Sequence, residues 1–379
     1  MCSNEDFGDG ESTIMQPNKE LEQYNLLEST CKKCGSVAAV KLTYKEAQCK
    51  NCFLYYVRHK FRANLGSTKI LPRNCRVLTV LSGTPGSMCL VDLVKHSLEV
   101  ENYKRLNFHH QILIVDNIFL MSHELIEKES LENIFKQFNQ QEMFYLSLAD
   151  NECSVDVFHI ESLLANLASK KEKFTKLQAT FASQTAWEDF LEQRTKSYIR
   201  KAANLLKCSH VFLPDITVDL AMSVLSNISL GRGASVAHDV GFVDDRMEDV
   251  KLLRPIRDFT YEEVKNYIRV NEIHCIENSR EYSLESIQSA TGKFVADLQS
   301  NFSSTVSTIF RTGDKFAPKE LNDGKCQFCQ SNLDWKESKT IDAVEFSKRI
   351  SNPQSNRPKI IEGPSEDLCY ACQKLLKDC

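Results

Sequence analysis

The sequence predicts an α/β protein built on a doubly wound parallel sheet, with an N-terminal zinc ribbon and a C-terminal cysteine-rich zinc-binding segment. Three observations carry this. Short apolar, β-branched runs alternate with longer stretches of helical periodicity, the pattern of strands joined by helical crossovers. The first such run, Arg76–Leu81, ends in a Gly/Ser turn, Ser82-Gly83-Thr84-Pro85-Gly86-Ser87. Eight of the fifteen cysteines fall into four CxxC pairs, two near each end.

The 379 residues carry a formal net charge of −4, so nucleic-acid binding would have to use a local basic patch. The longest apolar runs, such as Ile112–Val115, are strand-sized and far short of the ~20 residues of a membrane span. The N-terminus, Met1-Cys2-Ser3-Asn4-Glu5-Asp6, is polar and acidic and does not read as a signal peptide. A cytoplasmic protein with reduced cysteines is the expectation, and a disulfide scaffold is not.

In chain order, 1–28 is acidic with little apolar patterning and reads as a mobile tail. Residues 29–73 hold the first two CxxC pairs and a mixed aromatic and basic helix, Phe53–Arg62. From 74 to 272 runs the α/β domain. Its strands are expected at Val77–Leu81, Ile112–Val115, Met143–Leu148 and His210–Leu213. Its helices are expected at Met88–Ser97, Leu131–Asn139, Ile160–Ser169, Glu188–Leu206, Val218–Leu225 and Tyr261–Val270. Ser82 and Asp116 lie at carboxyl ends of strands, where such sheets bind ligands. Residues 273–325 form a helical extension, in which Phe294, Leu298, Phe302, Val306 and Phe310 suggest one helix with one apolar stripe. The segment 326–379 carries the other cysteine pairs.

Cys31-x2-Cys34 and Cys49-x2-Cys52 are 14 residues apart, close to ribbon spacing, and four thiolates from two knuckles make a tetrahedral zinc set. Arg58, Lys60 and Arg62 follow on the helix and would face phosphates; the bland alternative is a solvated helix face. Cys326-x2-Cys329 and Cys369-x2-Cys372 are 39 residues apart. Loop closure over that length costs little more than over a short one, and metal binding offsets it, so a second zinc site is expected.

A strand, a Gly/Ser turn and a helix present backbone N–H groups to an anion, although an ordinary crossover has the same pattern. The turn lacks the lysine of a GxxxxGK[ST] loop. It resembles the SGGxDS loop of the PP-loop ATP-pyrophosphatase family: Ser82, Gly83 and Ser87 match, while Thr84 replaces a glycine and Gly86 the aspartate. Phe212–Asn227 resembles a second element of the tRNA-thiolating members, keeping Ala221, Val224, Leu225 and Asn227 but only Asp219 of its polar set. Arg254-Pro255-Ile256-Arg257 resembles their RPLR element. With both cysteine-rich ends, the chain is similar to the degenerate, non-catalytic branch of that family that works in cytosolic tRNA 2-thiolation.

The resemblance implies an adenine-nucleotide-hydrolase-like fold and an obligate catalytic PP-loop thiolase partner in a heterodimer. It further implies tRNA as ligand and sulfur supplied through the complex by a thiocarboxylated ubiquitin-like carrier, with no membrane. The targets would be wobble uridine 34 of the tRNAs for lysine, glutamate and glutamine. Ser82, Gly83, Ser87 and Asp219 would be a vestigial nucleotide site, with ATP binding left open. The cysteine element that thiolating members carry ahead of the second motif is absent from Phe190–Lys196, which counts against cluster-based sulfur transfer by this chain alone, Cys275 notwithstanding. An active ATP-dependent tRNA-modifying enzyme and a zinc-ribbon adaptor unrelated to nucleotides stand as alternatives. His109-His110, Cys208 with His210, and Asp244-Asp245 read as structural or solvated rather than catalytic.

Overall fold

The computed structural model describes residues 29–43, 45–100, 105–121, 128–138, 141–276, 285–316, 324–333 and 367–377. The acidic tail expected at 1–28 and most of the long C-terminal insertion lie outside these residues. Seven strands form one sheet: β1 (Arg76–Leu81), β2 (His109–Val115), β3 (Glu142–Leu146), β4 (Val155–Val157), β5 (His210–Phe212), β6 (Val243–Asp244) and β7 (Lys251–Leu253). Their spatial order is β4-β3-β2-β1-β5-β7-β6. The five central strands are parallel, while β4 and β6 pair antiparallel at the two edges. The edges and β7 are too short to carry a readable alternation.

Both faces of the sheet are covered, as strands without polar alternation require. Leu78 and Val80 of β1 and Leu113 and Val115 of β2 pack with Trp187, Leu191, Tyr198 and Ala202 of α6 (Gln184–Leu205). Val77 faces the other way, toward α1 (Lys50–Thr68), α2 (Pro85–Glu99) and α9 (Tyr261–Asn271). Leu81, Ile112 and Ile114 share that face with α4 (Lys128–Lys136) and the start of α5 (Ile160–Gln178). The short α3 (Asn117–Met121) closes the end of β2. Strands β2, β3 and β4 run outward from β1 on one side, and β7 then β6 run outward from β5 on the other. The order therefore reverses between β1 and β5, the place where an open α/β sheet leaves a ligand crevice.

Caps set the helix starts. Thr84 caps α2 ahead of Pro85, so that helix begins three residues before the expected Met88. Ser183 Oγ accepts from Ala186 N at 3.2 Å and starts α6 ahead of the expected Glu188. The single stripe expected from Phe294 to Phe310 is two helices, α10 (Ile287–Asn301) and α11 (Ser303–Gly313), broken at Phe302 (φ −141°, ψ 59°). A strict four-residue spacing drifts about 40° per step on a 3.6-residue helix, so five such residues cannot share one face. Phe294 is 53% exposed, and Val295, Val306 and Phe310 are the residues that pack on α7 (Thr217–Ser229) and α8 (Val236–Val240).

Candidate functional site

The crevice between β1 and β5 holds the Gly/Ser turn. Its hydroxyls are turned on one another: Ser82 Oγ and Thr84 Oγ1 are 3.1 Å apart, Thr84 Oγ1 donates to Ser87 Oγ at 3.3 Å, and Ser87 Oγ donates to Thr84 O at 2.8 Å. Ser87 is fully buried. Gly83 adopts φ +82°, which favours glycine, and Ile276 lies over it; a Cβ at 83 would meet Ile276 Cδ1 at 2.6 Å. The backbones are tied as well, Ile276 N donating to Gly83 O at 2.9 Å. At Gly86 a Cβ would meet Pro214 O, just past β5, at 2.9 Å. The turn is thus closed against its own chain on both sides.

Around the crevice the carboxylates are engaged in the fold. Asp219 lies in the first turn of α7, where its Oδ2 accepts from Ile216 N at 3.2 Å. Asp215 pairs with Arg254 at 3.0 Å. Asp116, buried at the end of β2, accepts from Tyr145 Oη (2.7 Å), Ser147 Oγ (2.7 Å) and Leu148 N (2.9 Å). Burial raises its pKa despite those donors. His110 is buried against Thr79 Oγ1 at 2.9 Å, and burial pushes it down to about 4. Cys208 Sγ donates to Gln111 Oε1 at 3.1 Å, while His210 Nδ1 faces Ser209 Oγ; the two side chains have separate partners.

Cys31, Cys34, Cys49 and Cys52 converge, all four sulfurs lying within 4.8 Å of one another. The Cys34–Cys49 and Cys34–Cys52 separations are 3.5 and 3.7 Å. Cys49 also caps α1, whose aromatic face enters the core. The module is fastened to α9 at several points: Thr43 N donates to Glu262 Oε2 at 3.0 Å, Arg269 donates to Ala39 O at 2.8 Å, and Glu263 gathers the most partners. Glu263 accepts from Tyr56 Oη, from Lys60 Nζ at 2.7 Å and from Lys45 Nζ at 3.5 Å, while completing the α9 capping box with Thr260 N at 3.0 Å. Lys60 also donates to Asp258 O at 2.8 Å. Of the three basic residues expected to face phosphates, Lys60 is therefore turned inward. Arg58 and Arg62 line a groove of about 170 Å³ with His96.

The second set, Cys326, Cys329, Cys369 and Cys372, converges within the same 4.8 Å limit and is wholly buried. Cys369 and Cys372 flank the start of α12 (Tyr370–Lys377). Arg232 forks onto Asp189 (2.8 and 2.7 Å) and reaches Cys372 Sγ at 3.4 Å. Arg246 donates to Asp244 (2.8 and 2.6 Å), Asp239 (2.6 Å) and Ser331 Oγ (3.1 Å), and Lys325 donates to Arg246 O. Arg200 joins Asp244 at 2.5 Å and Lys196 joins Asp239 at 3.1 Å. Burial works to raise both carboxyls, but Arg246 and its cationic neighbours hold them far below the usual range. Asp244 is therefore no solvated loop residue: it is fully buried, and only Asp245 beside it is exposed. Arg232 and Arg246 carried no sequence signal, since isolated arginines in turn-rich segments have no periodicity to mark them as internal.

The chain matches the family pattern described as Cytoplasmic tRNA 2-thiolation protein 2 over residues 286–374. A curated relative of that description from Anopheles gambiae is 40% identical over 366 residues, covering 93% of this chain and 87% of its own. Another, from Drosophila yakuba, is 37% identical over 398 residues, covering 99% and 98%. Among solved structures, the U34-tRNA thiolase NcsA from Methanococcus maripaludis, with its 4Fe–4S cluster, aligns at TM-score 0.53 and 17% identity, over 80% of this chain and 92% of that one. At that identity the likeness speaks for the PP-loop fold.

Proposed function

The chain belongs to the cytoplasmic tRNA 2-thiolation protein 2 family, and from that premise we propose that it acts in tRNA thiolation as a non-catalytic, tRNA-binding subunit. The observation that supports this best is the self-closed turn. Ser82, Thr84 and Ser87 satisfy one another, Ile276 covers Gly83, and Gly86 stands where the resembled loop has its carboxylate. A phosphate would have to displace these contacts and would find no metal anchor. A partner with an intact PP-loop then activates the C2 oxygen of uridine 34, and a thiocarboxylated ubiquitin-like carrier delivers sulfur. The cytoplasmic setting agrees with the relatives' shared name.

Zinc suits both cysteine sets. A Zn–S bond of about 2.3 Å gives tetrahedral edges of about 3.8 Å. The observed sulfur separations of 3.5, 3.7 and 3.6 Å are close to that. A 4Fe–4S cluster bonds each thiolate to a different iron and holds the sulfurs farther apart, so these sites suit a single ion. Cys275 belongs to neither set. In this reading zinc is structural and closes two modules whose backbone is mostly irregular.

The test is the 2-thiouridine content of tRNA from cells lacking the chain, rescued by wild type or by Ser82→Ala/Ser87→Ala. Loss on deletion with full rescue by the double variant is the expected result. Loss without rescue by a folded double variant would return the loop to a ligand-binding role. Unchanged thiolation on deletion would replace the reading with a zinc adaptor.

A further inference from the structure

The groove between α1 and α2 is lined by Asn51, Leu54, Tyr55, Arg58, Arg62 and His96. Two features mark it as fit to receive something. Arg58 and Arg62, one helical turn apart, face His96 on the neighbouring helix, so three cation-capable groups converge on one small space. At the rim Tyr55 is 61% exposed, with the His59 ring at 6.1 Å and 28° beside it. An exposed aromatic ring next to converging cations is the arrangement that stacks a base and holds its phosphate.

The electrostatics agree. Burial lowers the His96 pKa, and Arg58 and Arg62 lower it further; Asp92 and Glu99 on its own helix oppose them. An anion in the groove would be drawn by Arg58 and Arg62, which line it, and opposed by Asp92 and Glu99, which do not. Lys60 does not contribute, since it is held by Glu263 on the opposite side of α1. The volume of about 170 Å³ admits a phosphate group but not a duplex, and bases inside a helix cannot reach an aromatic face.

We propose that this groove binds one unpaired nucleotide of the tRNA, with its phosphate between Arg58, Arg62 and His96 and its base stacked on Tyr55. The proposal rests on the reading of this chain as a tRNA-binding subunit and narrows it to one subsite. Double-stranded segments then dock elsewhere, and the groove selects a loop or single-stranded end.

The experiment measures binding of fluorescein-labelled tRNA transcript to the metal-loaded, full-length chain across a salt series. Arg58→Gln/Arg62→Gln strips both arginines from the one phosphate, so the slope of log K against log salt should flatten by about 0.7. Tyr55→Ala should weaken binding by about 5- to 150-fold with the slope unchanged, and Tyr55→Phe should restore it. An unlabelled single-stranded RNA should compete better than a blunt RNA duplex at equal phosphate concentration. An unchanged slope in the arginine variant, with its melting temperature preserved, overturns the groove. So does full affinity in Tyr55→Ala, or equal competition by the duplex. Each of those leaves the tRNA-binding reading intact, because the wild-type chain still binds. Absence of binding by the wild-type chain overturns both.

Discussion

Arg246 is the joint between the sheet and the C-terminal cysteine module, and replacing it with methionine tests the buried ion network directly. The guanidinium is 5% exposed and bonds Asp239, Asp244 and Ser331. Methionine fills similar volume and leaves two buried carboxylates short of a cation. Breaking a buried pair costs about 3–5 kcal/mol. Lys196 still meets Asp239 and Arg200 still meets Asp244, so the lower end, about 3 kcal/mol, is expected. At about 2–4 °C per kcal/mol for a unit of roughly 200 residues, the melting temperature should fall by about 6–12 °C. The assay is thermal unfolding at pH 7 with bound metal measured in parallel. Adding Asp244→Asn takes the remaining counter-ion from buried Arg200, so it should cost further stability rather than recover any. The pH dependence has a definite sign. Asp239 and Asp244 are depressed in the native state, so their stabilisation is complete above the unfolded carboxyl pKa of about 3.9 and is lost as the pH falls toward the native values. The gap between wild type and variant should therefore close below about pH 4. A loss under 1 kcal/mol at pH 7, or a gap that persists at low pH, would refute the reasoning.

Gly86→Asp, which restores the family's carboxylate, should not restore ATP hydrolysis to the isolated chain. Its Cβ meets the backbone oxygen of Pro214 at 2.9 Å, and the strain should cost about 1–3 kcal/mol in a urea titration. Elemental analysis of the purified chain should find two zinc ions; Cys34→Ser and Cys372→Ser should each remove one, and retention of both by either variant would break the assignment. Glu263→Ala should loosen the N-terminal module, costing about 3 kcal/mol or more and exposing 29–68 to limited proteolysis. Burial works to raise the Glu263 pKa, but Lys60 leads the partners that hold it low, so that contribution is present above about pH 4.3 and fades as the pH falls below it.

The strands at the centre of the sheet were legible because each is a buried apolar run bounded by turn residues. The two- and three-residue strands β4, β6 and β7 were not, since alternation cannot be read over so short a span. The four CxxC pairs named both convergent cysteine groups, and convergence of the second across 39 residues followed from chemistry rather than spacing. Partnership between charges was hidden. Lys60 looks from the sequence like Arg58 and Arg62, and only the fold shows that it turns to Glu263. Asp244 looks like a solvated acid, and only Arg200 and Arg246, placed by other elements, reveal it as internal. The groove was half visible, in its arginines; His96 comes from a different helix, and no local pattern joins it to α1.

Helix α2 begins at the self-closed turn and carries His96 in its last turn. Its 15 residues make a rod about 22 Å long, with the self-closed turn at one end and the proposed RNA groove at the other. The turn, capped by Thr84, sets where that rod starts. Inserting one residue within the helix between the turn and His96 would swing His96 about 100° around the helix axis, away from Arg58 and Arg62. The turn's geometry can thus be demanded by the ruler it sets, independently of any ligand the turn itself would hold.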